Sequence, residues 1–172
     1  MAESNVAPTT KDNLLTAFAG ESQANRMYLA FAQKAEQDGL PQIAKLFRAA
    51  AEAETIHALA HLRNAGMVGT TVDNLSHAVK GETYEYSEMY PPMTAQAERE
   101  GHKARVMFGF AEKAEKVHAS LYQKALEAAS QGHDLPPGTI YVCPVCGHVE
   151  WGTPPEKCPI CNAAGSRFQS VA

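Results

Sequence analysis

The feature that most constrains the fold of this chain is a duplicated pattern of glutamates and histidines. A glutamate precedes a Glu-x-x-His motif by 33 residues, and the whole pattern recurs 61 residues further along the chain. Four carboxylates and two imidazoles are the ligands that a paired-metal site uses inside a four-helix bundle. The pattern therefore predicts a helical bundle around two metal ions, and such a site suits redox chemistry. The first copy consists of Glu21, Glu54 and His57, and the second of Glu82, Glu115 and His118.

Helical periodicity supports this mainly α fold. Apolar residues recur at steps of three and four over four stretches, at about 10–37, 41–64, 70 onwards and 102–131. We expect Pro91 and Pro92 to kink or interrupt the third helix. Every predicted ligand lies on an apolar stripe that should face inward, as do neighbours such as Ile43. Because a buried carboxylate without a partner is very costly, this placement indicates a bound cation.

The two Glu-x-x-His motifs suggest how the ligands divide between the metal ions. Residues three apart share one face of a helix, so each motif directs a carboxylate and an imidazole to one point. Oxygen and nitrogen ligands in this mixture favour iron or manganese. We expect one ion at Glu21 and His57 and the other at Glu82 and His118, with Glu54 and Glu115 bridging.

Three further residues near these motifs are candidates for catalytic roles. Glu85 has no counterpart in the first copy, because Ala24 stands 61 residues before it. It is either a solvated residue or a carboxylate that competes with His57 for one metal ion as the oxidation state changes. Tyr28 and Tyr90 could each hydrogen-bond a ligand, and filling of the aromatic core is the alternative for both.

The C-terminal segment contains all four cysteines, in two Cys-x-x-Cys pairs that predict a tetrahedral thiolate site for iron or zinc. It follows a linker rich in Pro and Gly, lacks helical periodicity and is too short to fold without a metal. Gly147 and Asn162 follow the pairs and tolerate positive φ. We expect a bundle over 1–134 and a metal-binding domain over 139–172, with Tyr141, Trp151 and Phe168 as its small core. The ligands are Cys143, Cys146, Cys158 and Cys161.

Composition excludes several other classes of function. With 15 basic and 19 acidic residues, the net charge is −4, so no basic surface favours nucleic acid. The first residues lack the apolar stretch of a signal peptide, and no apolar run is long enough to span a membrane. Paired cysteines in such a chain indicate metal binding rather than disulfides. These observations predict a cytoplasmic protein without membrane or nucleic-acid partners.

At this point the chain closely resembles the rubrerythrins over nearly its whole length. The resemblance implies a ferritin-like four-helix bundle with a non-haem di-iron site, followed by a rubredoxin-like FeS4 domain that recombinant material can fill with zinc. It also implies a peroxidase that protects against oxidative stress. Hydrogen peroxide would be reduced to water with electrons from NAD(P)H, delivered by a rubredoxin or a reductase. The matching segments are 17–22, 54–57, 81–85, 88–91, 115–118 and the cysteine pairs.

The same resemblance implies roles for individual residues. His57 matches a ligand that exchanges with the position of Glu85 when the iron is reduced. The positions that match iron ligands are Glu21, Glu54, Glu82, Glu85, Glu115 and His118.

The short connection between the second and third helices predicts a dimer. A link of about 8 residues can span ~26–29 Å at full extension. If the second and third helices ran parallel with their ligands at mid-height, the link would have to cover ~28 Å along the helix axis, before any sideways displacement. We therefore expect a homodimer with exchanged helix pairs. In it, the ligands of the first copy would meet those of the second copy from another chain.

Two other functions remain open from the sequence. A ferroxidase or iron-handling protein would use the same bundle, but it would not need the four-cysteine segment and would prefer oxygen to peroxide. A bundle that carries a structural zinc ribbon is the second alternative. Colour separates it, because an oxidised FeS4 protein is red and a zinc protein lacks that colour.

Overall fold

The computed structural model describes residues 7–171, most of which are helical. The helices lie close to the predicted stretches, and three short strands follow in the C-terminal segment. The predicted mainly α fold with a small cysteine-containing domain is therefore confirmed. The helices are α1 (Thr10–Gln37), α2 (Pro41–Asn64), α3 (Thr71–Tyr84), α4 (Tyr90–Arg99) and α5 (Ala104–Ser130), and the strands are β1 (Ile140–Val142), β2 (Val149–Trp151) and β3 (Gln169–Val171).

Equivalent capping boxes begin α1 and α3. The hydroxyl of Thr9 accepts a hydrogen bond from the backbone N–H of Asp12 at 3.2 Å, and the Asp12 carboxylate accepts one from the N–H of Thr9 at 2.8 Å. Thr70 and Asp73 repeat both bonds, each at 3.2 Å. These reciprocal bonds satisfy N–H groups that a helix start otherwise leaves unpaired. They fix the start of the first helix in each copy of the ligand pattern.

The predicted interruption of the third helix takes the form of a π-helical segment. It spans Glu85–Met89, between α3 and α4. The backbone N–H of Tyr90 donates to the carbonyl oxygen of Glu85, five residues earlier. Pro91 and Pro92 follow at once and lack the N–H groups that continued α-helical bonding would use. The widened turn begins at Glu85, and π segments of this kind occur frequently at functional sites.

The chain divides into two compact units between Gly69 and Thr70. In the first unit α1 packs along α2, and in the second α3 and α4 pack on α5. The helical residues that are buried are alanines, and small side chains let helix backbones approach one another. The buried helical residues are Ala32, Ala35, Ala44, Ala51, Ala58, Ala97, Ala111, Ala114 and Ala119.

Large apolar side chains remain exposed on the first unit. Leu46 is 68% exposed and Ile56 is 61% exposed, and Ile43, which was expected to face inward, is also exposed. An isolated soluble chain rarely leaves so many neighbouring apolar side chains in contact with water. The first unit therefore presents an apolar surface that other residues can cover.

The C-terminal segment forms a small antiparallel sheet with strand order β2-β1-β3. Two equivalent turns hold the cysteines, with φ of 80° at Gly147 and 62° at Asn162, as predicted. Phe168 and Tyr141 belong to the core around the cysteines, and they are joined there by Phe110 from α5. Trp151, also predicted for this core, instead lines a cavity with Leu121 and Leu135. Within residues 7–171, no helix combines the length and apolar character needed to cross a membrane.

Candidate metal centres

The first copy of the ligand pattern forms a cluster between α1 and α2. Ligand atoms of Glu21, Glu54 and His57 all lie within 4.8 Å of one another. A hydrogen bond with Glu54 raises the pKa of the Glu21 carboxyl, and the same bond lowers the pKa of Glu54. Two carboxyl groups this close must share a proton or a cation. Nδ1 of His57 lies 3.1 Å from Oε2 of Glu54, and the His57 side chain is 55% exposed.

Asn25 supports this cluster from α1. Its Nδ2 donates to the carbonyl oxygen of Ala51 at 2.6 Å and to the hydroxyl of Thr55 at 2.8 Å, so it joins α1 to α2 near Glu54. The sequence analysis assigned Asn25 no role. The signal that could have identified it is a polar amide one helical turn after Glu21, on the same apolar stripe.

The second copy forms a matching cluster between α3 and α5. Ligand atoms of Glu82, Glu115 and His118 lie within 4.8 Å of one another. Nδ1 of His118 lies 2.6 Å from Oε2 of Glu115 and 3.5 Å from Oε2 of Glu82. The His118 side chain is only 20% exposed. Burial raises the pKa of the Glu82 carboxyl.

His118 also contacts the four-cysteine domain. Its Nε2 lies 3.0 Å from the backbone carbonyl oxygen of Gly147, the residue after Cys146. Because a carbonyl oxygen only accepts, Nε2 carries the proton and Nδ1 is left to bind a metal ion. The sequence analysis identified Gly147 only as a residue that tolerates positive φ. It missed the contact with His118, because a backbone carbonyl leaves no signal in the residue type.

Glu85 and Tyr90 lie beside the second cluster. Burial raises the pKa of the Glu85 carboxyl, and the charge of Glu82 raises it further. Burial also raises the pKa of the Tyr90 hydroxyl, with added contributions from the charges of Glu115, Glu85 and Glu82. Tyr90 is therefore close enough to three predicted ligands to sense their charge, and its hydroxyl keeps its proton at neutral pH.

Tyr28 has a different environment. Its ring centroid lies 6.2 Å from that of Phe47 and 6.3 Å from that of Phe31. These contacts match the alternative interpretation, in which Tyr28 fills the aromatic core. Its role as a hydrogen-bond partner of a metal ligand stays a prediction.

The four cysteines converge on one point in the C-terminal domain. Their sulfur atoms lie within 4.8 Å of one another, with Cys143–Cys161 at 3.6 Å and Cys146–Cys158 at 3.5 Å. A tetrahedral metal–thiolate site with bonds of about 2.3 Å requires sulfur separations of about 3.8 Å. The cysteines therefore fit a tetrahedral metal ion with little adjustment.

Backbone N–H groups favour the thiolate form at Cys143. Burial acts to raise the pKa of its thiol, but hydrogen bonds from the N–H groups of Val145 and Cys146 help to outweigh burial and lower that pKa to about 7. The thiolate is the form that binds a metal ion. The glutamate–histidine clusters fit iron equally well, because they offer carboxylate oxygen and imidazole nitrogen atoms within 4.8 Å.

Comparison with known proteins gives one consistent result. The rubrerythrin family model matches residues 12–126, and the model for the rubredoxin-like domain of rubrerythrin matches residues 141–169. Rubrerythrin-2 of Clostridium acetobutylicum is 38% identical over 176 residues, which cover 94% of this chain and 96% of that protein. Nigerythrin of Nitratidesulfovibrio vulgaris is 39% identical over 168 residues, covering 89% of this chain and 82% of that protein.

Solved structures agree with these relatives. A structure of nigerythrin in a partially reduced state superposes with a TM-score of 0.56 at 34% identity, covering 99% of this chain and 91% of that one. Fold and sites thus define an iron oxidoreductase that joins a di-iron helical region to a rubredoxin-like four-cysteine site. The chain belongs to the rubrerythrin family. The predicted family and cofactors are confirmed, while the domain boundaries and the individual ligands stay predictions.

Proposed function

We propose that this protein reduces hydrogen peroxide to water in protection against oxidative stress. Each peroxide molecule takes up two electrons and two protons and gives two water molecules. The electrons would come ultimately from NAD(P)H through a separate rubredoxin or reductase and enter at the four-cysteine site. Membership of the rubrerythrin family supports the class of reaction.

The observation that carries the proposal is the hydrogen bond between His118 and Gly147. It joins a predicted ligand of the paired-metal site to the residue that follows Cys146, at 3.0 Å. A protein that only stores or oxidises iron does not need a redox domain hydrogen-bonded to a ligand of its paired-metal site. This contact supports a relay in which electrons move one at a time from the four-cysteine site to the paired-metal site.

We assign the iron ligands as the sequence predicts, with Glu54 and Glu115 as the carboxylates that the two ions would share. When bound there, iron would supply the electrons that reduce peroxide. The chain sets the geometry and supplies protons. The ligands proposed for the single site are Cys143, Cys146, Cys158 and Cys161. Those proposed for the paired site are the members of the two glutamate–histidine clusters, Glu21, Glu54, His57, Glu82, Glu115 and His118, together with Glu85, which lies beside the second cluster.

The environments of His57 and Glu85 support their proposed exchange. His57 is more than half exposed, and its hydrogen bond is to Glu54 on its own helix. Glu85 begins the π-helical segment, where the backbone differs from the α-helix on either side. A weakly held imidazole and a carboxylate on a widened turn can alternate at one coordination position with little rearrangement elsewhere.

Tyr90 is the proposed hydrogen-bond donor to the oxygen groups of the site. Burial and the neighbouring carboxylates raise the pKa of its hydroxyl, so the group stays protonated and can donate. Phe108 packs against its ring with a centroid distance of 6.2 Å. The ring position orients the hydroxyl, while Tyr28 is the corresponding candidate in the first unit.

We further propose that the active protein is a homodimer with exchanged helix pairs. Residues 65–70 link α2 to α3, fewer than the sequence suggested, and they span about 20–22 Å at full extension. If α2 and α3 ran parallel with Glu54 and Glu82 at the same height, the link would have to cover the helical rise from Glu54 to Asn64 plus that from Thr71 to Glu82. This distance is about 31 Å. A parallel return within one chain therefore exceeds the reach of the link. The exposed apolar residues of the first unit are the surface that a second chain would cover.

A Cys158→Ser variant tests the relay. Peroxide should still oxidise the chemically reduced paired site in a single turnover, because those ligands are untouched. Steady-state peroxide consumption coupled to NADH, a rubredoxin and its reductase should be lost. Survival of steady-state turnover would exclude the four-cysteine site as the relay. A faster single-turnover reaction with oxygen than with peroxide would contradict the peroxidase assignment.

A further inference from the structure

A groove lined by lysines lies beside the four-cysteine site. Lys113, Lys116 and Lys124 form one wall with Ser120, because these positions on α5 are spaced by three and four residues. The opposite wall is formed by residues at and beside β2, including His148 and Trp151. The groove has a volume of about 580 Å³.

The three lysines outnumber the one carboxylate, Glu150, that lines the groove. All three lysines are exposed, and within residues 7–171 none of them takes part in an ion pair. Glu150 also lines the groove, but its Oε2 lies 3.1 Å from Nε2 of His148. Since the chain as a whole has a net charge of −4, this stripe differs in sign from the average of its surface. It is a local site of attraction for negative charge.

The groove also leads directly to a metal ligand. His148 is only 4% exposed and lies edge-on to Phe168, with ring centroids 6.1 Å apart. Phe168 belongs to the core cluster that contains Cys146, and His148 follows Cys146 by two residues in the chain. A molecule seated in the groove against His148 therefore lies two residues along the chain from Cys146.

We infer that this groove is the docking site of an acidic one-electron carrier protein. The inference rests on the proposed function, in which an electron donor must reach the four-cysteine site. The carrier is oxidised by one electron, which reduces the four-cysteine iron from ferric to ferrous, and no covalent bond forms or breaks. A nicotinamide nucleotide is a poorer direct donor, because it donates a hydride with two electrons, whereas a single four-cysteine iron accepts one electron at a time. Carboxylates of the carrier pair with the lysines and steer its approach.

Two triple variants test the docking site. Lys113→Gln, Lys116→Gln and Lys124→Gln together remove the charge of the groove. The matched control, Lys11→Gln, Lys45→Gln and Lys80→Gln, removes equal charge from exposed lysines that do not line it. Binding is measured by calorimetry between each oxidised holoprotein and an acidic rubredoxin substituted with zinc, which cannot transfer electrons. Stopped-flow absorbance at wavelengths where the spectra of the two four-cysteine iron centres differ gives the second-order rate of reduction by the reduced iron form of that rubredoxin.

At low salt, the groove variant should lose about tenfold or more in both affinity and rate, and its rate should depend less on ionic strength. The control should stay close to the unmodified protein. Equal losses in both variants would overturn the inference, as would unchanged binding by the groove variant or no measurable binding by the unmodified protein.

A separate measurement distinguishes this inference from the proposed function. Peroxide oxidation of the dithionite-reduced protein needs no carrier, and it should be the same in both triple variants. An unmodified protein that failed to react with peroxide would refute the peroxidase function, while the calorimetric comparison would still decide the docking site. Normal peroxide oxidation with unchanged reduction by the carrier would refute docking alone.

Discussion

The two copies of the ligand pattern contain the same residue types, but the chain holds them differently. His57 contacts Glu54 of its own helix and is more than half exposed. His118 is mostly buried, contacts Glu115 and Glu82 through Nδ1 and is fixed through Nε2 by Gly147. The residue types of a predicted metal site can thus repeat while the contacts behind them differ. His118 is held by more contacts than His57.

The largest expected effect comes from breaking the contact that fixes the second copy. A Cys146→Ala variant should lose the metal that stabilises the C-terminal domain, because a domain this small depends on that ion. The cost is on the order of 10 kcal/mol for comparable metal-dependent folds. The sheet signals of residues 140–171 should collapse in NMR spectra while helical circular dichroism persists. A retained sheet would show that the core around Phe168 is sufficient without the metal.

A matched pair of histidine variants tests the asymmetry directly. His118→Gln should weaken iron retention at least about tenfold more than His57→Gln, because only His118 has its ring oriented by a second contact. Competition with a chelator at fixed pH measures both losses. Equal losses would show that the environments behind the two ligands do not affect iron binding.

Asn25 provides a smaller test on the first copy. An Asn25→Ala variant removes two part-buried hydrogen bonds that join α1 to α2. Thermal or urea unfolding of the metal-free protein should show a loss of about 1–3 kcal/mol. Gln23→Ala is the control, since Gln23 is exposed on the same helix. An equal loss in the control would show that the effect does not come from the Asn25 hydrogen bonds, because alanine has the higher helix propensity at both positions.

The smallest expected difference lies at the two helix starts, where the copies are alike. Hydrogen bonds from Thr9 and Thr70 lower the pKa of Asp12 and Asp73 below the ordinary 3.8. A carboxyl whose pKa is lower in the native state than in the unfolded state stabilises the fold at pH values above the unfolded-state pKa. This stabilisation is lost as the pH falls through the native-state pKa. Asp12→Asn and Asp73→Asn should therefore each lower the Tm slightly at neutral pH and not at pH values below both pKa values. If the change in Tm depended on pH differently in the two variants, the two caps would not be equivalent.

Much of the fold followed from the sequence because its signals are local. The α1 and α2 bounds follow from apolar periodicity, Gly39 and Pro41, and the start of α3 follows from the Thr70 cap. Spacing alone brought Glu54 to His57 and Glu115 to His118. The cysteine pairs likewise defined their own site, including the positive φ of Gly147 and Asn162.

What the sequence missed depends on contacts between distant segments. The bond from His118 to Gly147 spans 29 residues and ends on a backbone atom. Phe110 packs on the cysteine core, where Trp151 had been expected, because α5 and the C-terminal domain meet in three dimensions. Exposure of Ile43 shows that periodicity identifies an apolar face but not the molecule that covers it.

The π-helical segment sets the direction of Tyr90 relative to Glu82. In a regular α-helix, the eight residues from Glu82 to Tyr90 advance about 800°, so Tyr90 would lie about 80° from Glu82. A π turn absorbs about one extra residue, or about 100°, which brings Tyr90 back to within about 20° of Glu82. A one-residue deletion within the segment after Glu85 that restored a regular α-helix would therefore turn the tyrosine away from Glu82.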